Sequence, residues 1–480
     1  MTSARRGCRA VVTALVLTLT VAACGGPGVD ARVVSDAAED LSSDPPTDVP
    51  PLPTGLEDPL YPDLGAPGMD VAHYDVALTV DDTFTASGTV TITIEATEDL
   101  SQVAVDARSL AVSAVTLDGD PVEFTQVEPE LLVTPEQVIA DGTTFELAVT
   151  YVDDPTINPE ADQLGPGWIR ADGYSYTVNE PEATRDWLPS LDHPSDKATW
   201  RFAVTPPDGA IAVANGLPET RPDEGDAGPW VWEVDQPMAT YLAQVLVGDW
   251  RIVEAPAVDG VRRISALLAD DVDDHEALLD GIDAQVAFLQ EAFGPYPFAT
   301  YGIAVVDEEI GLAIEQQTRS LFSPEATTAS VAVHELAHQW FGDAVTPDRW
   351  ADVWLAESFA TYAQWLWDEE QGTATVDEQA QAALEARNED GGPPTDDPTV
   401  DTLFGFNVYE GGAVVVQALR REIGDEDFFV LLRSWIADNS GTSRTTEDFT
   451  ALASEVAGRD LTGFFTTWLS ATELPAELPA

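Results

Sequence analysis

Lysine is almost absent from this chain: Lys197 is the only one in 480 residues, and arginine supplies every other strong cation. Basic residues number 21 against 86 acids, a formal net charge of −65. Such a balance argues against binding nucleic acid or anionic lipid through charge. It reads as a salt-tolerant surface before it reads as an acidic site. Charged residues are only 22% of the chain and apolar residues 44%, so a core can form and wholesale disorder is excluded. Cysteine is scarce too. The two cysteines are Cys8 and Cys24, and both lie in the first 24 residues, so the body of the chain carries no disulfide. There are five histidines, at 73, 193, 275, 334 and 338, and this scarcity makes any pattern among them informative.

The apolar run from Val11 to Ala23 is shorter than the roughly 20 residues a membrane-spanning helix needs. With Arg5, Arg6 and Arg9 before it, residues 1–23 read as a secretory signal. Val21-Ala22-Ala23-Cys24 followed by Gly25 and Gly26 resembles a bacterial lipobox, which makes Cys24 the expected lipidation site. An ordinary signal peptide with a chance cysteine is the alternative, and Arg5-Arg6 also fits a twin-arginine export signal. Residues 24–65 are acidic and Pro-rich and lack periodicity, as expected of a disordered tether. The expected location is the outer face of the bacterial cell membrane, with the membrane contacted through the lipid alone.

Residues 66–253 alternate as strands do, in Tyr74–Val80, Thr89–Ile94, Phe145–Tyr151, Ala198–Val204 and Trp230–Val234, with Gly, Pro and Asp between them. This is expected to be an all-β domain. From about residue 270 the period becomes helical. Ser323-Pro324-Glu325 reads as an N-cap and first turn, with a helix running to Trp340 or Phe341 and closed by Gly342. A second helix is expected from Val353 to Glu370. Others are expected near 376–388, 409–423, 426–438, 446–457 and 461–469.

The first of these helices carries His334-Glu335-Leu336-Ala337-His338. Positions i and i+4 share a helix face, so both imidazoles can grip one ion, and Glu335 sits beside the first of them. A catalytic zinc site needs a third protein ligand and one open position. Glu357, with eighteen residues between it and His338, lies on the next helix and completes a His₂Glu set. One Zn²⁺ per chain is the expected cofactor. The alternatives are a solvated acid for Glu357 and satisfied surface histidines for His334 and His338; the spacing and setting favour a ligand set over both.

These strings, HELAHQWF over 334–341 and WLAESFA over 354–360, resemble the gluzincin aminopeptidases of the aminopeptidase N type, a family that includes leukotriene hydrolase. Here Ala356 and Ser358 replace the usual Asn and Gly. Gly311–Gln316 resembles the family's GAMEN string and keeps its glutamate as Glu315, with Gln316 in place of Asn. Glu180–Pro189, followed by Asp192-His193-Pro194, is similar to the segment ending in P-x-x-D-x-P, and its register makes Glu180 a second amine-binding acid. Val408–Ala413 resembles YEKGA; Gly411 replaces Lys, and Tyr409 is kept.

The resemblance implies an α+β multidomain fold. An N-terminal all-β saddle (66–253) precedes a thermolysin-like α/β catalytic domain (254–480) whose C-terminal part is mostly helical. It implies peptides with a free N-terminus as substrates, Glu335 as general base, Tyr409 as oxyanion donor, and Glu180 with Glu315 binding the α-ammonium. Larger relatives carry a long C-terminal helical domain, whereas this chain ends about seventy residues after Tyr409, so a reduced domain and a more open cleft are expected. Three rivals remain at this point: a leukotriene-hydrolase-like epoxide hydrolase, a zinc endopeptidase, and an inactive peptide-binding lipoprotein. The pairing of Glu180 with Glu315 favours a free amine over the first two. The intact His334, Glu335, His338, Glu357 and Tyr409 disfavour the third.

Overall fold

The computed structural model describes residues 55–153, 167–222, 228–269 and 272–480. The signal segment, Cys24 and most of the tether therefore lie outside the described residues.

Alternation in the first half produces an eight-stranded sheet in the order Leu217–Thr220, Trp230–Ala239, Lys197–Thr205, Met69–Val80, Ala86–Ala96, Thr144–Val152, Ala111–Leu117, Asp120–Pro121. Met69–Val80 pairs parallel with Lys197–Thr205; its other neighbour is antiparallel. A bulge between Val71 and His73 changes which residues face inward, from Met69 and Val71 to Tyr74, Val76, Leu78 and Val80. A four-stranded sheet, Ile211–Ala214, Val245–Gly248, Tyr174–Val178 and Gly167–Ala171, is buried on nearly every residue. It delivers Glu180 two residues past one of its strands.

The second half opens with a five-stranded sheet: Trp250–Val258, Val261–Leu268, Thr300–Val305, Arg319–Phe322 and the edge pair Ala313–Ile314. The domain boundary expected at 253/254 falls inside the first of these strands. The helical reading from about 270 also needs correction over 300–322, which is mostly strand. Thr300–Val305 and Arg319–Phe322 are parallel, central and buried throughout, so no alternation marks them in the sequence. The edge pair is antiparallel and ends just before Glu315.

The metal-bearing helix is shorter than the sequence suggests, spanning Ala329–Ala337. Ser323 does not cap it: its hydroxyl donates to the Leu312 carbonyl at 2.7 Å, and Pro324–Ala326 forms a separate 3-10 turn. Thr328 is the cap, accepting from the Val331 amide at 3.2 Å. Beyond Ala337 the chain widens and turns away at Gly342, φ +127°, and the turn is closed by i→i−5 bonds, Asp343 N to His338 O at 2.9 Å and Ala344 N to Gln339 O at 3.2 Å. The remaining helices lie where the periodicity puts them: Trp354–Glu370, Val376–Asp390, Glu410–Ile423, Asp425–Asn439, Thr446–Val456 and Thr462–Trp468. One more helix, Glu276–Phe293, packs against this group.

Residues 55–65 correct the tether reading. Asp58 and Leu64 are buried, and the Asp58 carboxylate accepts from the amides of Leu60, Tyr61 and the distant Trp350, the last at 2.7 Å. Polar anchoring of this kind leaves no hydrophobic period to read.

Two helices that matter for the site meet at backbone distance. A Cβ built on Gly412 would stand 1.8 Å from the Ser358 hydroxyl oxygen, which itself donates to the Val408 carbonyl at 2.7 Å. Gly412→Ala is therefore expected to destabilise the protein by about 1–3 kcal/mol through overpacking. Gly281→Ala, inside the helix Glu276–Phe293, puts its Cβ in ordinary contact with the Gln285 side chain at 3.9 Å and should stabilise by up to about 1 kcal/mol. Denaturant melts of the two variants check this; a neutral Gly412→Ala would mean that the two helices are not in contact.

Candidate metal centre

His334 and His338 sit one turn apart near the end of their helix, and Glu357 reaches them from the first turn of the next. Nε2 of His334 lies 3.2 Å, and Nε2 of His338 3.3 Å, from the same oxygen of Glu357. The three residues are 8%, 1% and 2% exposed, so they face one another in a nearly dry space. Each imidazole is oriented through its other nitrogen. His334 Nδ1 is 3.0 Å from Gln364 Oε1, and His338 Nδ1 is 3.1 Å from the Phe341 carbonyl. Both acceptors need a proton on Nδ1, which leaves the Nε2 lone pairs free for a ligand. Bonds of about 2.0–2.1 Å to a tetrahedral zinc place its ligand atoms about 3.3 Å apart. The observed 3.2 and 3.3 Å spacings match that edge, and a neutral His₂ set with one carboxylate suits zinc chemically. The residues present therefore fit the ion.

Burial opposes ionisation at Glu357, but His338 and His334 overcome it and hold the carboxyl well below its ordinary range. Its neighbours go the other way. Burial drives the Glu335 carboxyl up, against the pull of His338, and Glu315 and Glu357 add to the rise. Glu315 is raised by burial in the same manner. Glu180 is raised by burial, then by Glu315 and Glu357. Burial is the common first cause and repulsion among the acids adds to it; bound cations relieve both.

The sequence-derived residues come together from four separate elements. Ligand atoms of Glu315, Glu335 and His338 all lie within 4.8 Å of one another. Glu180, half-buried, counts Glu315 as its strongest charged neighbour. The Tyr409 ring stacks on His334 with centroids 5.8 Å apart and planes at 6°, and Glu357 is the first charged group acting on its hydroxyl. Cys24 lies outside the described residues.

Uncharged amides fix these acids in place. Gln339 donates to the Glu315 carbonyl at 2.9 Å while accepting from the Thr318 amide at 2.8 Å. Gln316 donates to the Thr177 carbonyl at 2.7 Å and so ties the Glu315 segment to the strand that leads to Glu180. Asn179, the residue before Glu180, donates to the Ala243 carbonyl at 2.6 Å and accepts from Trp187 Nε1 at 2.9 Å. Sequence reasoning did not single out Gln339, Gln364, Asn179 or Asp343. Gln364 had a usable signal: it stands seven residues after Glu357, two turns along the same helix face. Asp343 is fully buried beside Glu315 and His338.

Comparison with known proteins agrees with this arrangement. The peptidase family M1 domain matches residues 300–468, and the peptidase M1 N-terminal domain matches residues 71–242. Aminopeptidase M1-A of Oryza sativa subsp. japonica is 26% identical over 440 residues, covering 82% of this chain and 49% of the rice protein. Aminopeptidase N of Lactococcus lactis subsp. lactis is 28% identical over 441 residues, covering 84% of this chain and 51% of its own length. The chain thus spans about half the length of these curated relatives. Among solved structures, the M1 zinc metallopeptidase from Deinococcus radiodurans superposes with a TM-score of 0.81 at 32% identity, covering 89% of this chain and 99% of that one. A mutant of that protein has been solved with a Tyr-Ser-Ala substrate.

His338→Ala should lose most bound zinc, as measured by metal analysis of the purified protein, and stoichiometric zinc in that variant would remove His338 from the ligand set. Gln364→Leu should keep the fold and weaken zinc binding about 10–100-fold in competition with a chromophoric chelator. Unchanged affinity would mean that Gln364 does not orient His334.

Proposed function

Because the chain belongs to peptidase family M1, we propose that it is a zinc aminopeptidase that removes the N-terminal residue from peptides. The observation that carries the reading is the meeting of two acids from different sheets, Glu180 and Glu315, beside the His334–His338–Glu357 set. Two facing carboxylates repel each other, and a protonated α-amine between them relieves that repulsion through charge-assisted hydrogen bonds. The amine is thereby held at a fixed distance from the reacting carbonyl, which selects the first peptide bond.

One zinc per chain, held by His334, His338 and Glu357, would supply Lewis acidity and lower the pKa of water to about 7. Glu335 takes the proton of the attacking water and passes it to the leaving amine. The Tyr409 hydroxyl, standing over His334, donates to the oxygen of the tetrahedral intermediate. Glu180 and Glu315 orient the substrate, and the surrounding core limits water. Peptides are the partners this chemistry requires, and the acidic surface gives nucleic acid no electrostatic foothold.

Export and anchoring belong to the same reading. The arginines and apolar run of residues 1–23, together with Cys24, support a lipoprotein held at the outer face of the bacterial cell membrane. Among the described residues no helix is long and apolar enough to cross a membrane. Several acyl chains on Cys24 would anchor it stably where one would not. Cys24→Ser is expected to abolish lipid labelling; labelling that persists would refute the anchor.

Glu335→Gln is expected to retain zinc and lose about 10²–10⁴-fold in turnover, since the amide keeps the shape but cannot accept a proton. Turnover near the parent's would mean that another group is the base. Aminoacyl-arylamides with a free amine should be cleaved at least about thirtyfold better than their N-acetylated forms, because an unpaired buried charge costs roughly 2–5 kcal/mol. Glu315→Ala should narrow that gap by harming only the free-amine substrate. Equal cleavage by the parent enzyme would reassign it as an endopeptidase.

A further inference from the structure

Arginine serves as the basic side chain everywhere else in this protein, so the single lysine marks a place where a guanidinium has not been used. Lys197 opens the strand Lys197–Thr205 of the eight-stranded sheet. Its ammonium donates to the carbonyls of Asp343 at 2.7 Å and Ala344 at 3.2 Å. Those carbonyls belong to the segment that hangs from the metal helix by its i→i−5 bonds, one of them from the Asp343 amide to the carbonyl of His338 itself. Helix exits carry partial negative charge, and a cation there is favourable. An ammonium is a compact charge with three rotatable donors, suited to a pair of adjacent carbonyls; the planar fork of arginine is not.

The Asp343 side chain adds a second reason for a cation. It is fully buried, and neither carboxylate oxygen finds a hydrogen-bond donor among the described residues. The charged groups facing it are Glu315, His338, Lys197 and Glu335. Three acids thus share this corner with a neutral ligand imidazole, and among the groups facing Asp343 Lys197 is the one that brings a positive charge without being a zinc ligand. Burial and Glu315 push the Asp343 carboxyl up while the Lys197 ammonium pulls it the other way, so removing Lys197 takes away that support.

We propose that Lys197 is a positioning residue for the metal centre: from the eight-stranded sheet it clamps the exit of the metal helix, balances the buried charge of Asp343, and so fixes His338 for zinc. The assignment rests on the metallopeptidase reading of the site and goes beyond it, since Lys197 touches neither ligand nor substrate.

Lys197→Met, Asp343→Asn and the double variant test it in the full chain, with zinc affinity read by chelator competition and turnover read separately. Lys197→Met should bind zinc at least tenfold more weakly and lose kcat more than it gains in KM. Adding Asp343→Asn removes the unbalanced charge and should recover most of the lost affinity. A double variant no tighter than Lys197→Met, or a Lys197→Met as tight as the parent, overturns the proposal. Should Lys197→Met fail to fold, the double variant decides: folded with zinc bound supports the pairing, unfolded overturns it. The zinc readout needs no substrate. Failure of the metallopeptidase reading would instead appear as a parent protein that binds no zinc.

Discussion

Crowding of like charge is the constraint from which the rest of this structure follows. Glu315, Glu335, Asp343 and Glu357 are buried around His334 and His338, and Glu180 adds a fifth carboxylate at their edge. Taking several carboxylates out of water is unfavourable unless cations meet them there. On the proposed function, the site would draw on three kinds of positive charge: a metal ion among the His₂Glu donors, an ammonium between Glu180 and Glu315, and Lys197 beside Asp343. Two of these arrive from solution, which ties the stability of the arrangement to the act of binding.

The scaffold holds the acids without adding charge of its own. Gln316, Gln339, Gln364 and Asn179 are neutral amides, each bridging backbone or ring atoms of neighbouring elements. Arg319 shows what a buried guanidinium needs in order to be tolerated. It is removed from water, donates to the Ala214 carbonyl at 2.6 Å, and lies over the Trp232 ring at 5.1 Å from the centroid. Gln244 joins that arginine to Gln316, so the polar contacts run from the eight-stranded sheet's neighbours to the segment carrying Glu315. Glu180 and Glu315 come from different sheets, and their mutual placement depends on this chain of amides.

The His₂Glu set was legible in the sequence because helix geometry and a fixed linker express it directly: His334 and His338 one turn apart, Glu357 on the next helix. Glu180, Glu315 and Tyr409 were legible only through family resemblance, since one acid more in so acidic a chain carries no signal. The α+β fold class was readable from period, and so were six of the helices. Three stretches were not. Thr300–Val305 lost its alternation to burial on both faces. Residues 55–65 are held by the polar contacts of Asp58, which periodicity does not record. The metal helix begins at the Thr328 cap because Ser323 turns its hydroxyl to Leu312, a competition between two good caps that propensity alone does not decide. Lys197 was visible as a rarity, but its partner lies 146 residues away and only the fold brings them together.

In the proposed function, two imidazoles and one carboxylate of this chain converge on a single zinc ion. Zinc K-edge absorption spectroscopy of the full chain loaded with one equivalent tests it most directly. The expected spectrum shows a four-coordinate nitrogen and oxygen shell at about 2.0–2.1 Å with the outer-shell scattering of two imidazoles. A sulfur shell near about 2.3 Å, or scattering from fewer than two imidazoles, would contradict it.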